Sequence, residues 1–112
     1  MVATAPELRQ AIDDLLRLLR NGIRVEALVL YGSYCHGEPH EWSDIDLAII
    51  SPDFEGISMP ERQRMISELT FERPRRIAPL GYPSSEYHHP GPHSFLREII
   101  RTGKIVYGAA SS

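Results

Sequence analysis

Two aspartates one residue apart, Asp44 and Asp46, head the apolar run D-I-D-L-A-I-I. Alternate side chains of a strand share a face, so both carboxylates project to one side while Ile45 and Leu47 project to the other. Carboxylates held this close repel each other unless a cation or hydrogen-bond donors neutralise them. Hard divalent cations such as Mg²⁺ take carboxylate oxygens as ligands and keep positions open for phosphate oxygens. Ahead of the pair, where the apolar run V-E-A-L-V-L-Y stops, stand Gly32 and Ser33. Glycine at a strand end admits a ligand close to the backbone. The N–H groups of the following turn can cradle a phosphate, and Ser33 adds a hydroxyl donor. A phosphate cradle facing a metal-binding carboxylate pair suits phosphoryl or nucleotidyl transfer. Alone, a D-x-D is commonly plain surface and a Gly-Ser commonly a turn. The information lies in their order: strand, Gly-Ser, short spacer, D-x-D on the next strand.

The elements that must position these groups follow from periodicity. Leu8, Ile12, Leu15, Leu16 and Leu19 form one apolar stripe, which predicts a helix over 6–20 with Pro6 at its start. Asn21-Gly22 is expected to end it through a left-handed cap. Strands are expected at 25–31, 44–50 and 76–82, with Pro79 marking a sheet edge or a bulge. The spacer G-S-Y-C-H-G-E-P-H-E-W-S starts with a helical turn. Further helices are expected at 60–70 and 93–102, the second turning Phe95, Leu96, Ile99 and Ile100 inward and ending at Gly103. The stretch S-S-E-Y-H-H-P-G-P-H reads as turns, and 104–107 as a last short strand. The fold class is α/β (α+β), a small mixed β-sheet flanked by helices. Residues 1–108 read as a single domain and 109–112 as a frayed tail.

With 112 residues, 42% apolar and 24% charged, the chain is long enough for one core and too apolar to be wholly disordered. A net charge of −3 argues against gripping nucleic acid by bulk positive charge. The single cysteine, Cys35, excludes an internal disulfide framework and reads as a small packing residue. No run approaches the roughly 18 apolar residues of a membrane span. Acidic residues near the N-terminus stand where a signal peptide would be apolar, so a soluble, cytoplasmic protein is expected. His88, His89 and His93 flank Pro90-Gly91-Pro92, where a transition metal is the sharp reading and an exposed loop the ordinary one. His36 and His40 lie beside the phosphate cradle. Arg73, Arg75 and Arg76 form the dense basic cluster, a solvated loop unless it meets triphosphate, RNA or an acidic partner. Trp42 either stacks on a base or packs over the spacer.

L-Y-G-S-Y-C-H-G-E-P-H-E-W-S-D-I-D-L-A-I-I resembles the signature of the DNA polymerase β-like nucleotidyltransferase superfamily. The shortness of the chain makes it most similar to the minimal nucleotidyltransferases, with weaker support from F-x-R-E-I-x-x-x-G-K-x-x-Y at Phe95 to Tyr107. The resemblance implies transfer of a nucleoside monophosphate, AMP foremost, from an NTP such as ATP to a hydroxyl. It makes Asp44 and Asp46 the catalytic, Mg²⁺-binding residues and Gly32 and Ser33 the nucleotide-binding pair. Many minimal members resemble antitoxins encoded beside an all-helical HEPN ribonuclease, and some attach AMP to a toxin tyrosine. A HEPN-type helical partner or a homo-oligomer is therefore expected, with neither membrane nor nucleic acid bound directly. One departure stands out: Ala78 occupies the place of the family's third acidic residue. That favours, as the alternative, a weakened nucleotide-binding antitoxin acting by binding alone, unless Glu72, Glu86 or the partner supplies the missing base.

Overall fold

The computed structural model describes residues 4–37, 39, 44–71 and 77–110. Helix α1 (Ala5–Leu19) begins at a capping box: Glu7 N–H donates to the Thr4 hydroxyl, and Thr4 N–H donates to Glu7 Oε1 at 2.9 Å. Its Ala11, Ile12, Leu15 and Leu19 are buried. Gly22 does not form the expected left-handed cap, because the positive-φ glycines are Gly32, Gly37, Gly56 and Gly108. Glycine serves there instead by allowing close approach. A Cβ at Gly22 would stand 2.6 Å from Leu69 Cδ2 on helix α3 (Met59–Thr70).

Among the described residues four strands form one sheet in the order β3-β2-β1-β4: β1 (Ala27–Tyr31), β2 (Ile45–Ser51), β3 (Ile77–Pro83) and β4 (Lys104–Gly108). β1 runs antiparallel to both neighbours, and β2 pairs with β3 in parallel. The parallel pair needs a crossover, which the 3₁₀ turn Pro52–Phe54 and α3 supply. One face packs Leu28, Leu30, Leu47 and Ile49 against α1, Phe54 and Ile66; the other packs Val29, Ala48 and Ile50 against Tyr87, Leu96 and Ile99. Burial on both faces explains why β1 and residues 47–50 of β2 read as unbroken apolar runs.

The remaining elements are α2 (Ser33–His36), α4 (Ser84–His88) and α5 (Phe95–Thr102). α4 replaces the turns expected after residue 83, since buried Tyr87 anchors it and donates its hydroxyl to Ala109 O at 2.9 Å. Ala109 N–H also donates to Glu26 O, so the segment expected to fray starts with a fastened residue. α5 turns Leu96 and Ile99 to the sheet, as expected, but leaves Phe95 56% exposed. Two inward positions three apart already define the buried face, and Phe95 lies off it. Among the described residues no helix is long and apolar enough to cross a membrane.

β3 is an edge strand, and its register with β2 runs unbroken from Ile45↔Ile77 to Ser51↔Pro83, so Pro79 marks an edge and no bulge. Side chains of α3 close that edge. Gln63 Nε2 donates to Pro79 O at 2.8 Å and Gln63 Oε1 accepts from Gly81 N–H at 3.0 Å, while Arg62 Nη1 donates to Gly81 O at 2.8 Å. The Gln63 amide thus takes the place of a further strand. Gln63→Ala strips two backbone groups of their partners and is expected to destabilise by about 1–3 kcal/mol in urea unfolding. An unchanged midpoint would show that water replaces the amide without loss.

Candidate active site

The ladder between β1 and β2 ends at the pair Tyr31↔Asp46. The chain then turns at Gly32, with φ 75° and ψ −154°, a conformation essentially reserved for glycine. A second reason for glycine is steric, since a Cβ there would stand 2.2 Å from Asp46 Oδ2. The Gly32 backbone therefore passes directly against the Asp46 carboxylate. Ser33 opens α2, a single turn in which Cys35 N–H and His36 N–H both donate to Gly32 O, at 3.0 and 3.1 Å. Gly37, with φ 79°, closes that turn and donates its N–H to Ser33 O.

Asp46 is half-buried on β2, while Asp44, expected to open the strand, stands exposed one residue ahead of it, because the ladder begins at Ile45. Burial foremost, and then the Asp44 charge, hold the Asp46 pKa above the ordinary carboxylate value. The structure thus brings Gly32, Asp44 and Asp46 together, with Ser33 next along the chain. Tyr31 shares the Asp46 face, and burial, then the Asp46 charge, then Tyr82 push its phenol pKa upward and keep it neutral. Its ring meets Phe95 edge-on, with centroids 5.7 Å apart at 84°. Residue types and spacing alone singled out neither Tyr31 nor Phe95. The available signal was the position of Tyr31 next to Gly32, which becomes informative only with the register known.

Ala78 is the register partner of Asp46 on the parallel strand β3, so its methyl group faces the same side. No group of three or more His, Cys, Asp or Glu among the described residues could hold a metal ion. Two neighbouring carboxylates, one with a raised pKa, fit a hard cation on one side and leave its other positions to water and phosphate. Glu86 lies on α4, and its charge is felt by Tyr82. The histidines do not assemble: His88 pairs with Glu26 across the fold, and His89 and His93 are exposed, as is His36. Cys35 packs against the core, with Sγ 3.7 Å from Thr102 O. His40, Trp42, Glu72, Arg73, Arg75 and Arg76 lie outside the described residues.

The profile of the family described as polymerase beta, nucleotidyltransferase, matches residues 13–112. A proposed nucleotidyltransferase from Sulfolobus solfataricus shares the fold with a TM-score of 0.67 at 12% identity, over 89% of this chain and 79% of that one. A toxin–antitoxin structure with AMP-PNP gives 0.56 at 20% identity, over 90% and 73%. A mutant of the toxin–antitoxin MntA–HpeT gives 0.55 at 18%, over 87% and 73%. No curated protein sequence is similar enough to count as a match.

Gly32 and Gly37 provide an internal comparison. Both have positive φ, but a Cβ at Gly37 meets nothing within 4 Å. Gly32→Ala combines a Gly-only conformation with displacement of the Asp46 carboxylate and is expected to lose about 1–3 kcal/mol, more than Gly37→Ala. Equal losses in chemical denaturation would mean that the Gly32–Asp46 approach is not tight.

Proposed function

The chain belongs to the polymerase beta nucleotidyltransferase family, and from that premise we propose that it transfers a nucleoside monophosphate, AMP from ATP foremost, to a hydroxyl on a protein partner. The observation that carries this reading is the Gly32 backbone set against the Asp46 carboxylate, with Asp44 beside it. In this reading Asp44 and Asp46 hold Mg²⁺. The ion supplies charge neutralisation at the phosphate and alignment of the attacking and leaving oxygens. Gly32 leaves room for the triphosphate at the backbone, and the Ser33 hydroxyl donates to a phosphate oxygen. Tyr31, neutral and packed, walls the site without adding charge.

The partner is proposed to be a helical toxin of HEPN type, met in the cytoplasm and neutralised by the modification. Support comes from the fold shared with two toxin–antitoxin structures, one of them described with AMP-PNP. Ala78 favours a second reading. A methyl group beside Asp46 can neither bind a cation nor accept the proton of the acceptor hydroxyl. Either the partner brings the base, or the protein binds nucleotide and silences its partner by occlusion alone.

The test is transfer of labelled AMP from ATP, with Mg²⁺, to a partner co-purified with the chain. Wild type is expected to transfer slowly and Asp46→Asn not at all while remaining folded. Ala78→Asp directs a carboxylate to the Asp46 face and is expected to accelerate transfer, within the ~10²–10⁴-fold scale of base catalysis. Full activity in Asp46→Asn would remove the aspartate pair from the chemistry. ATP binding without transfer in either wild type or Ala78→Asp would establish the occlusion reading.

A further inference from the structure

Phe95 stands out as a large apolar side chain left 56% exposed on the first turn of α5. Its neighbours Leu96 and Ile99 bury the helix without it. One edge of the arrangement is fixed, because the Phe95 ring meets Tyr31 at a centroid distance of 5.7 Å. Tyr31 precedes Gly32 directly, pairs with Asp46 and feels its charge. Phe95 also lines a groove of about 500 Å³ together with His93, Arg97, Glu98 and Arg101. Arg101 is paired with Glu98, while the Arg97 guanidinium has no ion-pair partner among the described residues. One ring thus meets Tyr31, the register partner of Asp46, and lines a groove rich in donors and acceptors.

We propose that Phe95 is the stacking platform for the nucleobase of the bound nucleotide, with the α5 groove receiving the base and ribose. This rests on the nucleotide reading above and adds where the nucleoside end goes. With the phosphates anchored at Gly32, Ser33 and the aspartates, the nucleoside must leave the anchor over a neighbouring surface. One described surface next to Gly32 is the Tyr31–Phe95 pair. Every base has a π face that an aromatic ring can hold whatever its identity, and an arginine beside it adds donors and cation–π attraction. Tyr31 braces Phe95 from the edge, which limits the rotamer freedom lost on binding. Phe95 is therefore a binding residue for the nucleoside and takes no part in the phosphate chemistry.

Calorimetric titration with two probes, Mg²⁺–ATP and Mg²⁺–tripolyphosphate, separates the nucleoside contact from the phosphate contact. Phe95→Ala is expected to weaken ATP by about tenfold, within the range for loss of one stacked base, and to leave tripolyphosphate unchanged. Phe95→Trp should keep ATP affinity. Phe95→Leu retains apolar bulk against Tyr31 without a π face, and should behave like alanine. An unaltered thermal midpoint is expected in all three, because the ring is mostly exposed. Unchanged ATP affinity in Phe95→Ala, full affinity in Phe95→Leu, or equal wild-type affinities for the two probes would overturn the stacking proposal and leave the phosphate site standing. Failure of wild type to bind either probe would overturn the nucleotide reading itself, and this inference with it.

Discussion

The approach of the Gly32 backbone to the Asp46 carboxylate is the constraint on which the rest of the arrangement depends. It requires the β1–β2 ladder to end with Tyr31 opposite Asp46. A slip of one residue in that register would turn Asp46 toward the α1–α3 core and expose Leu47 on the site face. It also requires a residue without a side chain at the end of β1, in a conformation that other residues rarely reach. The apolar runs of β1 and β2, buried on both faces, hold that register, and Ser33 follows as the first residue of the short turn α2. Core and site are thus set by the same pairing of two strands.

The parts legible in the sequence were those written by short-range patterns. The apolar stripe of α1, the alternation of β2 through Asp46, the glycine at the end of β1 and the edge character of Pro79 each depend on a few neighbouring residues. What escaped needed tertiary partners. Residues 84–88 carry turn-forming composition, yet they become helical because Tyr87 is buried and bonds to Ala109. Phe95 looked like core by composition, but Leu96 and Ile99 already fill the face of α5 that meets the sheet. Gly22 has the composition of a helix cap and serves instead as clearance for Leu69, which lies far along the chain. The placement of Tyr31 opposite Asp46 is likewise a fact of register, which periodicity within one strand does not determine.

Ala78 gives the site its particular character. The parallel pairing of β3 with β2 would present a carboxylate beside Asp46 had the sequence provided one, because the unbroken register sets Ala78 opposite Asp46. The edge of that strand is closed by Gln63 and Arg62, so the strand is held in place even though it contributes only a methyl group here. A site with two carboxylates must complete its cation with phosphate and water. In the proposed function, occupancy by metal and by nucleotide is therefore mutually dependent, and catalysis leans on whatever the partner brings.

The central claim, that Gly32, Ser33, Asp44 and Asp46 form one metal-and-phosphate site, is tested most directly by paramagnetic broadening of amide NMR signals with Mn²⁺ in place of Mg²⁺. The expected result is broadening centred on residues 32–33 and 44–46, weak with Mn²⁺ alone and strong once ATP is added. Broadening centred elsewhere, for example at the histidines of 88–93, or equally strong without nucleotide, would contradict the account.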